Sequence, residues 1–210
     1  MVEYIKIETP FERDMNGSKK LIEGRFRNET VEYLKDAQWV FTEKVDGTNI
    51  SIVWDGHSVT FHGRTERASI PSPLANHLFA TFGGPVNEEL FEQKFGEMPV
   101  ILYGEGYGPK IQNGGAYRDD VSFILFDVYI PRDDLWLKRK AVEDIAKAFG
   151  IDVVPVIMTG TIQDAVDFVK TKPKSTFGTA MMEGLVGRPA VELKDRRGFR
   201  VMVKIKAKDF

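Results

Sequence analysis

The sequence predicts an α+β fold made mainly of antiparallel sheets flanked by helices. Two observations carry this. Strand-like runs come in clusters, with a short turn signal such as Asp55-Gly56 between neighbours. Helical stripes fall between the clusters instead of alternating one-for-one with strands. In chain order, Val2 to Ile7 alternates weakly and reads as a first strand. Residues 11–28 are polar and charged, with a turn at Asn16-Gly17. Gln38 to Lys44, Asn49 to Trp54 and Ser58 to Phe61 read as strands, the last two joined by the Asp55-Gly56 hairpin. Ser72-Pro73 opens a helix to about Phe82, with proline in its first turn. Asn87 followed by Glu88 and Glu89 starts a second helix, stopped by Gly96. Pro99 to Tyr103 and Val121 to Ile130 are apolar runs of strand type. Asp133 or Asp134 caps a helix to Phe149, with Leu135, Val142, Ile145 and Phe149 on one face and Gly150 beyond it. Asp152 to Met158 reads as a strand. Thr161 and Asp164 make a capping-box start for a helix whose apolar stripe is Ile162, Ala165, Val166 and Val169. Glu183 to Arg188 and Phe199 to Ile205 are the final strands, joined by the charged turn Lys194 to Gly198. No repeat or composition break demands a linker, so residues 1–210 are expected to form a single domain.

Composition narrows the function classes. With 42% hydrophobic and 29% charged residues, the chain is of ordinary globular type. It has no cysteine, which excludes disulfides and thiolate metal sites. The N-terminus, Met1 to Ile7, carries charges where a signal peptide has an apolar core. No apolar run is long enough to span a bilayer. The net charge of −2 excludes a uniformly basic coat for nucleic acid, so any phosphate-binding surface must concentrate its cations locally.

The charged residues on apolar strands point to chemistry. Lys44 lies in Phe41-Thr-Glu-Lys-Val-Asp-Gly-Thr-Asn-Ile50, between two strand-like runs. A lysine acts as nucleophile only as the free amine, which needs a setting that disfavours its charged form. Gly47 lets backbone approach a ligand, and Thr48 and Asn49 add short polar arms. A surface hairpin with a Val-Asp-Gly turn reads the same way. Glu105 sits among glycines after Val100-Ile-Leu-Tyr103, and Glu183 precedes Gly184-Leu-Val186. A buried structural salt bridge is the plain explanation for each. Lys204 and Lys206 alternate with Val201, Val203 and Ile205, so the lysines share one face; solvent alone accounts for them. Taken together, Lys44, Asp46, Arg64, Glu105, Glu183, Lys204 and Lys206 supply acids for a hydrated magnesium ion and cations for a triphosphate. Phosphoryl or nucleotidyl transfer needs mainly those two things. His57, His62 and His77 lack metal-ligand spacing and read as turn or surface residues. Trp39, Trp54 and Trp136 are expected to pack the sheets and the long helix, and Met181-Met182 to pack the core.

These residues resemble the ordered motifs of the covalent nucleotidyltransferases, the superfamily of ATP-dependent ligases and mRNA-capping enzymes. The closest likeness is to the phage-type RNA ligases, the branch that includes the second RNA ligase of T-even phages. Glu43-Lys-Val-Asp-Gly-Thr-Asn49 resembles the nucleophile motif, and Gly63-Arg-Thr65 falls where the next is expected. Tyr103-Gly-Glu-Gly-Tyr-Gly-Pro-Lys-Ile-Gln112 resembles the third motif with that branch's extension. Phe123-Ile-Leu-Phe-Asp-Val128 resembles the segment that offers a ring to the purine. Glu183-Gly-Leu-Val186 and Val203-Lys-Ile-Lys206 resemble the last two.

The resemblance implies an ATP-dependent RNA ligase with a nucleotidyltransferase core. Lys44 would form a lysyl–AMP bond, and Arg64 would contact the adenylate and the RNA end. Glu105 would bind ribose or the metal hydration shell, and Phe126 would stack on adenine. Asp46, Glu105 and Glu183 would hold the waters of Mg2+ or Mn2+, whose charge would oppose the ammonium form of the nucleophile. Lys204 and Lys206 would neutralise the α-phosphate, Asn49 would assist transfer of AMP, and the main chain near Glu43 would read the adenine edge. The implied partner is RNA with 5′-phosphate and 3′-hydroxyl ends, with room for an accessory protein and none for a membrane. The branch points to the cytoplasm of a bacterial or phage-infected cell. The chain stops four residues after Lys206, so a catalytic core with no C-terminal OB domain is expected. Lys19, Lys20, Arg25 and Arg27 could then grip RNA ends, or be a plain solvated segment. A DNA ligase, a GTP-using capping enzyme or a non-catalytic RNA-end-binding module are the alternatives.

Overall fold

The computed structural model describes residues 3–65 and 68–210. Along the chain run β1 (Phe11–Arg13), β2 (Leu21–Phe26), α1 (Glu29–Tyr33), β3 (Trp39–Lys44), β4 (Thr48–Trp54) and β5 (Val59–His62). Then come α2 (Ser72–Phe82), α3 (Pro85–Phe95), β6 (Val100–Tyr107), β7 (Ser122–Ile130), β8 (Leu135–Trp136) and α4 (Arg139–Phe149). The chain ends with β9 (Asp152–Val153), β10 (Val156–Gly160), α5 (Ile162–Lys170), β11 (Gly184–Pro189) and β12 (Val203–Lys206). Among the described residues, every ladder between these strands is antiparallel except β7–β9, so the expected α+β class holds.

Contacts divide the chain into two compact units. The first takes in the chain start up to Tyr4 and Asp46–Val154; the second takes in Ile5–Val45 and Pro155–Phe210. In the first, the sheet runs β5-β4-β6-β7-β8, with β9 beside β7. Alternation sends Ile50, Ile52, Leu102 and Leu125 to one face, where they meet Leu74, Leu78 and Phe82 of α2, Phe91 of α3 and Ile145 of α4. Each such side chain contributes about 2 kcal/mol through removal from water. The opposite face carries Tyr103, Tyr129 and Trp136 with Tyr4 packed on them. In the second unit the sheet runs β10-β3-β11-β12. Phe41, Leu185, Val203 and Ile205 pack against Ile162, Val166 and Val169 of α5, and the β1–β2 hairpin adds Phe11 and Leu21. The capping box of α5 is present: the Thr161 hydroxyl accepts from Asp164 N, and the Asp164 carboxylate accepts from Thr161 N.

Several expectations need correction. Val2 lies outside the described residues, and Glu3 to Ile7 form no strand; Tyr4 is instead drawn onto Tyr103 and donates to the Asp127 carboxylate at 2.5 Å. The long helix starts at Arg139, because Asp134 takes a left-handed φ of 45°, which stops helix growth, and Leu135 enters β8. The run 152–158 splits at Val154-Pro155 into β9 and β10, which belong to different sheets. Pro155 has no N–H for a ladder, while its carbonyl accepts from Glu43 N. Helix α3 begins at Pro85; the Asn87 amide reaches back to the Ala80 and Gly83 carbonyls and closes α2 instead. The last strand begins at Val203, which leaves Phe199 on an exposed hairpin. Trp39 and Trp54 are buried as expected and Trp136 packs on Tyr103; Met182 is buried but Met181 is exposed.

His77 on α2 gives this fold an acid-sensitive point. Burial first, and then the Arg118 guanidinium, push its pKa below the ordinary value, although Asp120 opposes them. The unfolded chain therefore binds the extra proton more readily, so stability is full above about pH 6.5 and falls as pH drops toward the depressed value. Thermal midpoints should decline on acidification from pH 7 to about 5, and His77→Gln should flatten that decline.

Candidate active site

The register of β3, β11 and β12 builds the centre of the second unit. Gly184 pairs with both Lys44 and Lys206, and Val186 pairs with both Thr42 and Lys204. Residues opposite one another share a face, so all three lysines stand on the same side of the sheet. Glu183, one residue ahead of β11, completes the group. Its Oε2 accepts from Lys44 Nζ at 2.5 Å and its Oε1 from Lys206 Nζ at 2.6 Å. The three side chains are 24%, 15% and 19% exposed, so they are shielded but open to a ligand. One carboxylate between two ammoniums leaves a net positive charge, and half-buried Lys204 stands on the same face. Such a face attracts phosphate and pins a lysine amine at its edge. Gly184 is required here: a Cβ would strike the Ile205 carbonyl and come within 2.8 Å of Lys206 Cα.

Glu43 is on the other side of β3. It is 1% exposed and lies in the row Glu43–Leu185–Ile205 that faces the core. Its Oε1 accepts from the Ser175 hydroxyl, and its Oε2 accepts from Thr176 N at 3.0 Å and the Thr176 hydroxyl at 2.5 Å. The strand that carries Lys44 is thereby tied to the loop that leads to Glu183. Sequence reading missed Ser175 and Thr176. Their only signal is the Ser-Thr pair, which looks like any polar loop until a buried acid requires donors. Glu43→Ala strands three donors at once and should cost about 3 kcal/mol in urea unfolding, with Glu43→Gln milder.

The first unit holds the other candidates. Asp46 N donates to the Tyr117 hydroxyl at 3.2 Å, and Asp46 Oδ2 accepts from the Asn113 amide at 2.9 Å. Both partners come from the loop after β6, which contains non-glycine left-handed residues at Lys110 (φ 65°) and Gln112 (φ 49°). The sequence singled out the Gly-Pro-Lys-Ile-Gln start of this loop, but not Asn113 or Tyr117. Gly47 packs against β6 so closely that a Cβ would sit 2.9 Å from Glu105 Cγ. Asn49 and Glu105 are direct cross-strand partners on the face away from the helices. Phe126 sits at a register shift in β7, half-buried, with its ring 4.9 Å from Tyr4 in an edge-on contact. Arg64 is exposed just beyond β5 and has no hydrogen bond or ion pair with the other candidates among the described residues. The structure thus joins Lys44, Glu183 and Lys206 directly, aligns Lys204 with them, and pairs Asn49 with Glu105.

The four basic residues near the N-terminus are engaged internally. Arg25 pairs with Glu12 at 2.5 Å and Arg27 with Glu8 at 2.8 Å. Lys20 Nζ donates to the Lys208 and Phe210 carbonyls at 2.7 and 2.8 Å, and Lys19 Nζ to the Met15 carbonyl.

The family model described as RNA ligase matches residues 37–206, most of the chain and every motif described above. The chain belongs to the RNA ligase family. Among curated proteins, no sequence matches it. Solved structures agree on the RNA ligase fold. An apo mutant of Naegleria gruberi RNA ligase superposes with a TM-score of 0.64 at 16% identity, covering 96% of this chain and 56% of that one. Two mutants of the same ligase with ATP and Mn give TM-scores of 0.63 and 0.65 at 16% and 17% identity. They cover 98% and 97% of this chain and 63% and 62% of theirs. This RNA ligase family chain therefore spans less than two thirds of the length of those structures.

A divalent metal suits the RNA ligase family donor set only in hydrated form. Among the described residues, no three His, Asp or Glu side chains gather into a cage. Magnesium fits this, since it keeps most of its waters and takes one or two carboxylates plus substrate phosphates. Both Glu183 oxygens already accept from lysines, so Glu183 suits contact through water. No helix of the described residues is long and apolar enough to cross a membrane.

Proposed function

We propose that this chain is an ATP-dependent RNA ligase that joins 5′-phosphate and 3′-hydroxyl ends through a lysyl–AMP at Lys44. The observation that carries the proposal is the Lys44–Glu183–Lys206 group, one carboxylate between two ammoniums on a face that also bears Lys204. In the first step the Lys44 Nζ lone pair attacks the α-phosphorus of ATP. The N–P bond forms, the bond to the β-phosphate oxygen breaks, pyrophosphate leaves and the amine gives up a proton. In the second, a 5′-phosphate oxygen takes the α-phosphorus, and the Lys44 amine is released and reprotonated. In the third, the 3′-hydroxyl attacks the activated 5′-phosphorus, the phosphodiester forms, AMP departs and the hydroxyl proton is lost to solvent.

Glu183 holds the Lys44 amine in place, and Lys204 and Lys206 neutralise the charge that gathers on the α-phosphate. In the first unit, Asn49 and Glu105 act on the nucleotide, Phe126 offers its ring to adenine, and Arg64 contacts the adenylate and the RNA end. The main chain near Glu43 reads the base edge. Mg2+ or Mn2+, when bound, screens phosphate charge, and Asp46, Glu105 and Glu183 would hold its waters. The proposal treats residues 1–210 as one functional domain in the cytoplasm of a bacterial or phage-infected cell.

The test is incubation with α-labelled ATP or GTP and a divalent metal, followed by denaturing electrophoresis and a sealing assay on RNA and DNA ends. Covalent label from ATP and sealing of RNA support the reading. Label from GTP alone, or none with any metal, overturns it.

A further inference from the structure

A cleft of about 1030 Å³ opens on the second unit, between residues 5–8, the start of α1 and the hairpin that follows β11. The hairpin holds its own shape. Lys194 bridges Arg200, Asp195 N donates to the Phe199 carbonyl at 2.7 Å, and Gly198 turns the chain with a φ of 83°. The Asp195 carboxylate accepts from the N–H groups of Arg197 and Phe199 at 2.8 and 3.0 Å. Two aromatic rings line the cleft in the open: Tyr33 is 89% exposed and Phe199 52%. One exposed ring needs no explanation, but two in one basic cleft do. The Arg197 guanidinium lies over the Phe199 ring, 5.3 Å from its centre, and holds that ring in place.

The charges favour a polyanion. Arg27 pairs with Glu8, Arg197 with Asp195 and Arg200 with Glu192, so these cancel. Lys6 and Arg196 are exposed and have no carboxylate partner among the described residues, and Glu29 is the one lining acid without a basic partner there. Flat exposed rings interleaved with unpaired cations match single-stranded nucleic acid, which needs a stacking platform and a backbone track. The aliphatic residues of the lining are covered, Val31, Val201 and Met202 being buried and Ile5 and Ile7 half-buried, so the exposed apolar groups of the cleft are the two rings.

We propose that this cleft grips the single-stranded RNA next to the end being joined, with bases on Tyr33 and Phe199 and phosphates on Lys6 and Arg196. The proposal rests on the RNA ligase reading and gives the grip that Lys19, Lys20, Arg25 and Arg27, already engaged, do not supply.

The test uses fluorescence anisotropy of a labelled, 5′-phosphorylated oligoribonucleotide across a salt series. The variants are Tyr33→Ala, Phe199→Ala and the double charge reversal Lys6→Glu/Arg196→Glu, all at exposed positions whose thermal midpoints should match the parent chain. Each aromatic truncation should weaken RNA binding about tenfold. The charge reversal should flatten the log affinity–log salt slope by about 1.4, for two lost phosphate contacts. Covalent labelling by ATP should not change, because that step needs no RNA. The two readings fail separately. Missing label in the parent chain overturns the enzymatic reading. Parent-level RNA binding by the variants, or a parent chain that binds no RNA, overturns this one, and full-strength binding by the variants leaves the cleft as a protein-docking surface.

Discussion

Lys44→Ala is expected to take up no covalent label from ATP while it keeps the fold. The loss should be complete, because the reaction needs a nitrogen nucleophile and the other two lysines of that face stand on β12. The fold should survive because the change strands no charge. Glu183 keeps its ion pair with Lys206 at 2.6 Å, and Lys44 is partly exposed at the end of its strand. A shielded, solvent-reachable pair of this kind contributes about 1 kcal/mol, so the urea midpoint should move little. Lys44→Arg sharpens the test. Its guanidinium can still pair with Glu183, yet it stays protonated and gives no free amine. Label should vanish there too, with stability close to the parent chain. Mass spectrometry of the intact protein and of its peptides checks both variants. AMP found on any other residue would remove Lys44 from its role.

The parts of this protein legible in its sequence are those set by local pattern. The alternation of Val201, Val203 and Ile205 with Lys204 and Lys206 fixes which side of β12 faces the core, and the structure places them so. Thr161 and Asp164 announce the start of α5 because a capping box is a purely local device. Long-range partners were hidden. Glu43 looks like one more polar residue beside Lys44, and only the sheet register shows that it points the opposite way, into Ser175 and Thr176. Asp46 gives no hint that it is held by Asn113 and Tyr117, since more than sixty positions separate them in the chain. The helix start expected at Asp133 or Asp134 moved to Arg139 for a backbone reason: a left-handed Asp134 is invisible to a pattern of apolar residues. Division into two compact units was equally unreadable, because the chain changes unit at Tyr4-Ile5, Val45-Asp46 and Val154-Pro155 with no shift in composition.

Glu183→Ala separates holding the nucleotide from reacting with it. With the carboxylate gone, the Lys44 and Lys206 ammoniums keep their cross-strand places on either side of Gly184 but lose the group between them. Two such charges with no carboxylate between them repel, so the side chains should swing apart toward solvent. Part of that cost should appear as about 1–2 kcal/mol of lost stability in urea. The face becomes more cationic, so ATP should bind at least as well as to the parent chain by calorimetry. The Lys44 amine is no longer aimed at the α-phosphorus, however, and covalent label should drop below detection. Glu183→Gln should lie close to alanine in chemistry, since its amide offers one acceptor where the two lysines need one each, and turns a donor toward the second. Retained ATP binding with lost label is the pattern a catalytic holder produces. A fold defect would remove both together, and label at the parent rate in either variant would mean that Lys44 finds its target without Glu183.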